Sequence, residues 1–187
     1  AEYKGIEPLI VINKTDLAAG EEWRRLYASV GYRAVCVSAV TCEGMDELKE
    51  LLLNGERSLI TVFCGNSGVG KSSLISAATG LELEIGEISE KIGRGKNTTR
   101  RTSLLEVGNG FIADTPGYSS FDPVEMEMTD VSKLELCFPE FEKYLGKCRW
   151  SDCSHVLDEG CAVREAAERG EIFWSRYESY ARLYGQL

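Results

Sequence analysis

Four short stretches carry side chains whose types and spacing could do chemistry. The first is Gly65, Asn66, Ser67, Gly68, Val69, Gly70, Lys71 and Ser72, which reads G-x-x-x-x-G-K-S/T and is followed by Ser73. Glycines let a backbone wrap closely enough for successive N–H groups to face phosphate oxygens, helped by the positive end of the helix that follows. Lys71 would reach the β- and γ-phosphates of a nucleotide, and Ser72 would ligate Mg²⁺. This stretch specifies a nucleotide without saying which one.

The second stretch, Asn13, Lys14, Thr15 and Asp16, speaks to the base. Guanine offers two adjacent donors, its ring N–H and its 2-amino group, and a carboxylate such as Asp16 can accept both. Adenine would leave that carboxylate unpaired, and an unmet hydrogen bond in such a site can discriminate by ~10⁴-fold or more. Asn13 can pair with the other edge of the base, and the Lys14 stem can cover its face. The backbone of Ser38 and Ala39 can donate to the guanine carbonyl. Taken with the phosphate loop, these residues select GTP and GDP over adenine nucleotides.

The third group would sense the γ-phosphate. Asp114, at the head of Asp114-Thr115-Pro116-Gly117, is expected as a water-mediated Mg²⁺ ligand, with the Gly117 N–H on the γ-phosphate. In Asn97-Thr98-Thr99-Arg100 we prefer Thr99, with Thr98 as the alternative, as the hydroxyl that joins Mg²⁺ only while the γ-phosphate is present. Losing these contacts on hydrolysis would release both loops, which is how such switches report nucleotide state. Many GTPases place a water-orienting glutamine where this chain has Tyr118. Slow turnover by the isolated chain is therefore expected, with Asn97 or an external partner completing the site.

The fourth is Cys148, Cys153, His155 and Cys161. Three thiolates and one imidazole make a closed tetrahedral set suited to structural zinc, with no position left for a catalytic water. The spacing also fits buried reduced cysteines beside a surface histidine, and the residues alone leave both arrangements open. Of the other cysteines, Cys36 and Cys64 lie in apolar, strand-like runs and are expected to pack as small hydrophobes. Cys42 and Cys137 have no readable role.

The elements that must position these residues alternate between strand and helix, the pattern of an α/β protein with a parallel sheet flanked by helices. Strands are expected at 7–12, 33–38 and 58–64, the last running straight into the glycine-rich loop. Helices are expected at 20–31, where Trp23, Leu26, Tyr27 and Val30 recur at helical spacing and Gly31 suits a C-cap, and at 45–53 and 71–80. Two further strands, 102–107 and 110–114, flank Gly108-Asn109-Gly110, a hairpin signal. Beyond about residue 122 the strands stop, and 130–138, 138–146, 162–170 and 175–187 read as short helices. We therefore expect a GTPase domain over 1–122 and a small helical domain over 123–187. In the usual GTPase order the phosphate loop comes first and the NKxD motif fourth; here Asn13–Asp16 precedes the loop and nothing later repeats it, so the GTPase core is circularly permuted.

The chain has 187 residues, 43% hydrophobic and 27% charged, as expected of an ordinary globular protein. No apolar run approaches the roughly 20 residues needed to cross a bilayer, and no secretory leader is visible, so we expect a cytoplasmic monomer with no membrane partner. A net charge of −9 argues against a broadly basic nucleic-acid surface. Against that trend, Lys91, Arg94, Lys96, Arg100 and Arg101 cluster without an intervening acid, as either a solvated loop or a partner contact overlapping the nucleotide sensor.

In order, Asn13–Asp16, Ser38-Ala39, the Gly65–Ser73 loop, the Gly93–Arg100 segment, the Asp114–Phe121 segment and the Cys/His cluster resemble the RsgA (YjeQ) family of permuted GTPases that assist small-ribosomal-subunit assembly. The resemblance covers essentially the whole chain. It implies GTP hydrolysis stimulated by the small ribosomal subunit, contact with its rRNA, one structural zinc on the Cys/His set, and an N-terminal OB-fold. The family commonly has histidine where this chain has Asn97; an amide can hold a water but cannot act as a base near neutral pH. Ala1 to Gly5 looks like the last turn of a helix, so we expect the natural chain to continue upstream, and full ribosome binding to need the missing OB-fold. The competing reading is a GTP-gated scaffold that binds the ribosome or RNA, with hydrolysis incidental. A zinc-dependent RNA-binding protein with a decayed nucleotide site is opposed by the intact Lys71, Ser72, Asp114 and Asp16.

Overall fold

The structure is a computed structural model that describes residues 1–53, 59–66, 68–80, 103–114 and 131–187, excluding the side chains at positions 53, 103–105, 114 and 131. A 3₁₀ turn over Glu2–Lys4 opens the chain, closed by Gly5, whose N–H donates to the Glu2 carbonyl. Then come β1 (Leu9–Ile12), α1 (Glu21–Ser29), β2 (Arg33–Cys36), α2 (Met45–Leu53), β3 (Ile60–Val62), α3 (Lys71–Thr79), β4 (Ser103–Val107) and β5 (Gly110–Asp114). Three 3₁₀ segments, Val131–Lys133, Glu135–Cys137 and Pro139–Tyr144, precede α4 (Ala162–Glu168) and α5 (Trp174–Tyr184).

The strand and helix expectations for residues 1–122 hold at every described element, with ends moved by a few residues. The sheet is mixed where a parallel one was expected. β3 pairs in parallel with β5, matching Val62 to Ala113, and β4 pairs antiparallel with β5 through the expected hairpin. β1 and β2 form a separate pair among the described residues. β1, expected to be buried on both faces, is only partly buried along its whole length. In α1 the apolar stripe narrows to Leu26, the one buried residue, while Trp23 is exposed. After residue 130 two of the expected helices are 3₁₀ segments, with Pro139 heading the longest of them. Short segments of this kind gain little from helical hydrogen bonds and are set by packing instead. Among the described residues no helix is long and apolar enough to cross a membrane.

The chain divides into two compact units: one of Ile10–Arg25 and Ala34–Phe121, the other of Ala1–Leu9, Leu26–Arg33 and Asp122–Leu187. The first has a core of Val35, Val37, Met45, Leu48, Leu74, Ile75, Ala78, Ile112 and Ala113, drawn from β2 and the residue after it, α2, α3 and β5. The second is built on aromatic packing. Phe138 stacks on Phe141 with centroids 5.2 Å apart, and Tyr180 meets both rings edge-on. Tyr3, from the opening turn, packs against this cluster. Arg176 pairs with Glu140 at 2.6 Å and lies over the Phe138 ring at 4.8 Å. Both side chains of that pair are largely buried, a setting in which each charge depends on the other.

Candidate nucleotide site and metal centre

The base-reading and phosphate-binding motifs are joined by side-chain hydrogen bonds. Asn13 Nδ2 donates to the Val69 carbonyl at 2.9 Å, and Lys14 Nζ to the Gly68 carbonyl at 2.7 Å. Lys14 adopts a left-handed φ of 65°, which few residues other than glycine tolerate. Gly70 shows why the loop needs its glycine. Its φ is 96°, and a Cβ there would stand 2.5 Å from Asn13 Nδ2. Any side chain at position 70 would thus strain the loop and displace Asn13 from its bond to the Val69 carbonyl.

Asp16 is held by a route the motif did not reveal. The fully buried Ser38 hydroxyl donates to Asp16 Oδ1 at 2.6 Å and accepts the Val40 and Thr41 N–H groups at 3.3 and 3.1 Å. A hydroxyl has one proton to give and two lone pairs, so Ser38 is fully used and Asp16 is fixed in place. The Ser38 N–H donates to the Glu43 carbonyl at 2.9 Å and the Ala39 N–H to Asn13 Oδ1 at 3.4 Å, so both backbone donors expected at the base are engaged within the protein, the second only by a long bond. Thr15 donates its N–H to the Val37 carbonyl, and its hydroxyl is buried with no hydrogen-bond partner among the described residues.

In the phosphate loop, Lys71 Nζ donates to the Gly65 and Asn66 carbonyls at 2.5 and 3.0 Å, placing the ammonium inside the curl of the loop. Ser72 and Ser73 follow in the first turn of α3, which Gly70 opens by accepting the Leu74 N–H. The pairing of Val62 with Ala113 brings the strand end that enters the loop beside the strand end that carries Asp114. Open α/β sheets place ligands at this carboxyl edge. Oxygen donors at Ser72 and Asp114 suit Mg²⁺. Ser67, Asn97, Thr98, Thr99, Gly117 and Tyr118 lie outside the described residues, as does the basic run from Lys91 to Arg101.

The second constellation lies in the helical unit. The ligand atoms of Cys148, Cys153, His155 and Cys161 are all within 4.8 Å of one another. His155 Nδ1 is 3.5 Å from Cys148 Sγ and 3.4 Å from Cys161 Sγ. A tetrahedral zinc with ordinary bond lengths separates a thiolate from an imidazole nitrogen by roughly 3.5 Å, so the spacing of His155 from two of the sulfurs fits the ion and the donor set fits it in chemistry. His155 is 3% exposed, which removes the surface histidine of the competing arrangement. Burial pushes the Cys153 thiol up to about 12 and raises that of Cys161, so without a cation these sulfurs hold their protons.

The shell around this set was not legible in the motif. His155 Nε2 lies 2.8 Å from Glu135 Oε2, and the Tyr177 and Tyr180 hydroxyls donate at 2.9 Å to the His155 and Ser154 carbonyls. Asp158 accepts from the Ser154 N–H at 2.8 Å, closing the turn in which His155 takes a φ of 61°. Glu135 stands twenty residues from its partner, at no spacing that a ligand pattern would flag. Of the remaining cysteines, Cys36 is half-buried, but Cys64 is exposed just beyond β3 and is not the packed residue expected.

A strand that runs into a phosphate loop, with the base-reading motif upstream of it and an aspartate at the adjacent strand end, defines the class of circularly permuted P-loop GTPases. The chain belongs to the RsgA GTPase family, whose model matches residues 1–124. The small ribosomal subunit biogenesis GTPase RsgA of Clostridium perfringens (strain SM101 / Type A) is 42% identical over 190 residues, covering 100% of this chain and 64% of that protein. Its namesake from Geobacillus kaustophilus (strain HTA426) is also 42% identical, over 193 residues and with the same coverage. Among solved structures, YjeQ from Thermotoga maritima superposes with a TM-score of 0.74 at 34% identity, covering 100% of this chain and 62% of that one. YloQ, described as a circularly permuted GTPase, gives 0.69 at 25% identity, covering 96% and 56%. The chain thus spans about 64% of the length of the curated relatives it matches.

Proposed function

We propose that this chain binds and hydrolyses GTP as a switch in small-ribosomal-subunit assembly, and that the subunit stimulates its turnover. The observation that carries this reading is the direct bonding of Asn13 and Lys14 to the Val69 and Gly68 carbonyls, which sets guanine recognition and phosphate binding in one frame. In that frame Asp16 and Asn13 read the base, Lys71 holds the phosphates, and Ser72, with Asp114 and Thr99, holds Mg²⁺. Gly117 and Asn97 complete the γ-phosphate end. The names of the relatives point to the small subunit as partner. We assign residues 1–122 to the GTPase domain and 123–187 to a domain stapled by one structural zinc on Cys148, Cys153, His155 and Cys161. The protein acts in the cytoplasm, contacts the rRNA of the subunit, and attaches fully with the help of an OB-fold outside these 187 residues.

With Tyr118 in place of a water-orienting glutamine, the chain alone is slow and the partner supplies what is missing. The test is phosphate release from GTP with and without small subunits. Clear acceleration by subunits supports the switch. Turnover unchanged by subunits that nevertheless bind in a GTP-dependent way would favour the scaffold, in which hydrolysis is incidental.

A further inference from the structure

We infer that Glu135 is the positioning residue of the metal centre: its carboxylate accepts a hydrogen bond from the Nε2–H of His155, fixes the imidazole as the Nδ1 donor, and thereby sets the zinc affinity of the site. This rests on the zinc reading above and deepens it. The imidazole has two nitrogens, and only one can face the three sulfurs. Nδ1 does so, at 3.4 and 3.5 Å from two of them, while Nε2 points away to Glu135 Oε2 at 2.8 Å. A ring free to rotate or to change tautomer would present its lone pair to the metal only part of the time. A carboxylate on Nε2–H removes that freedom and makes the opposite nitrogen a better donor.

Glu135 is itself held firmly. Leu134 before it is 1% exposed and Phe138 after it 5%, both in the aromatic core, and the Glu135 carbonyl accepts the Phe138 N–H at 3.3 Å. The Glu135 side chain is about one-third exposed, whereas that of His155 is nearly sealed. The carboxylate therefore reaches inward from the boundary to a ring that water does not reach. His155 is also tied by its backbone, through the Tyr177 hydroxyl on its carbonyl. Backbone and ring are thus anchored from two different segments, which is how a ligand is aimed before its metal arrives.

The chain has one histidine, so its ring nitrogen signals need no assignment. In the zinc-loaded protein, long-range ¹H–¹⁵N correlation should show Nδ1 shifted by metal and Nε2 carrying a proton. Competition with a chromophoric chelator should then show zinc affinity falling on the order of 10- to 100-fold in Glu135→Ala, and by less in Glu135→Gln, whose amide oxygen still accepts the proton. A merely structural glutamate would lower the melting temperature equally with and without zinc; a positioning one shrinks the rise that zinc produces. Metal bound through Nε2, or affinity in Glu135→Ala within twofold of the parent, would overturn the inference while leaving the zinc site intact. A parent that takes up less than about half an equivalent of zinc would overturn both.

Discussion

The two functional regions hold their side chains by different means. In the nucleotide region the aligned groups are loop residues tied to other loops: Asn13 to Val69, Lys14 to Gly68, Asp16 to Ser38. Asp16 and Lys14 are exposed, and of this set only Ser38 is buried. In the Cys/His region the candidate ligands are continuous with the core. Cys161 is 1% exposed and His155 3%, with Phe141 and Tyr180 packed around the ring. A site of the first kind can lose one hydrogen bond and keep its fold. In a site of the second kind the loss of a ligand is felt in the packing, because Cys161 and His155 are themselves part of the aromatic core that the segments after residue 130 are packed on.

The sharpest way to break this contrast is to remove the metal. Cys161→Ser, or a strong chelator, should abolish zinc uptake and collapse the aromatic near-UV circular dichroism of the helical unit. Structural zinc in finger peptides contributes about 10–16 kcal/mol of apparent binding free energy at neutral pH, far more than any single side chain here. Fluorescent GDP should bind the same sample within a few-fold of its original affinity, since every described residue of the nucleotide site belongs to the other unit. Nucleotide affinity that fell in step with zinc content would show the two regions to be one energetic system.

A smaller effect, confined to the other region, is expected from Asp16→Asn. The amide keeps an oxygen for the Ser38 hydroxyl but can no longer accept both donors of guanine, so GTP should weaken on the order of 100-fold or more. Xanthine carries an oxygen where guanine has its 2-amino group, and the new amide can donate to it, so XTP should gain where GTP loses. Stability should move by no more than about 0.5 kcal/mol, because Asp16 is exposed. Displacement of a fluorescent nucleotide by GTP and by XTP checks the exchange, and equal weakening of both would mean that Asp16 does not face the base.

How far each region could be read from sequence follows from the same difference. The phosphate loop and the base motif are contiguous, and their chemistry is local, so Lys71, Asp16 and Asn13 were legible as residue types at fixed spacing. Cys148, Cys153, His155 and Cys161 were legible as a candidate ligand set, although their spacing alone left a cluster of reduced cysteines also open. What escaped were partners set by tertiary packing: Ser38 acting through its hydroxyl on Asp16, twenty-two residues away, and Glu135 on His155. The 3₁₀ segments escaped too, because apolar spacing over six or nine residues does not separate a helical turn set by propensity from one set by the core beneath it. Cys64 differs from expectation because the apolar run that precedes it is itself open: Ile60 and Val62 of β3 are 65% and 45% exposed, so apolar composition there does not mark a buried strand.

The finest test of the contrast is one oxygen atom. The Tyr177 hydroxyl, on a side chain 6% exposed, donates to the His155 carbonyl at 2.9 Å and so steadies a ligand whose φ of 61° is unfavourable for a residue with a side chain. Tyr177→Phe keeps the ring and its packing and leaves a buried carbonyl without its donor. That should cost about 1–2 kcal/mol in the zinc-loaded protein, read from denaturant midpoints at constant slope. GTP affinity should not change. The complementary change, Ser38→Ala, removes a hydroxyl just as buried, but one that donates to Asp16 and accepts two backbone N–H groups. If Tyr177→Phe left stability untouched, the turn around His155 would be holding its own shape, and the core would be packing around the metal site without supporting it.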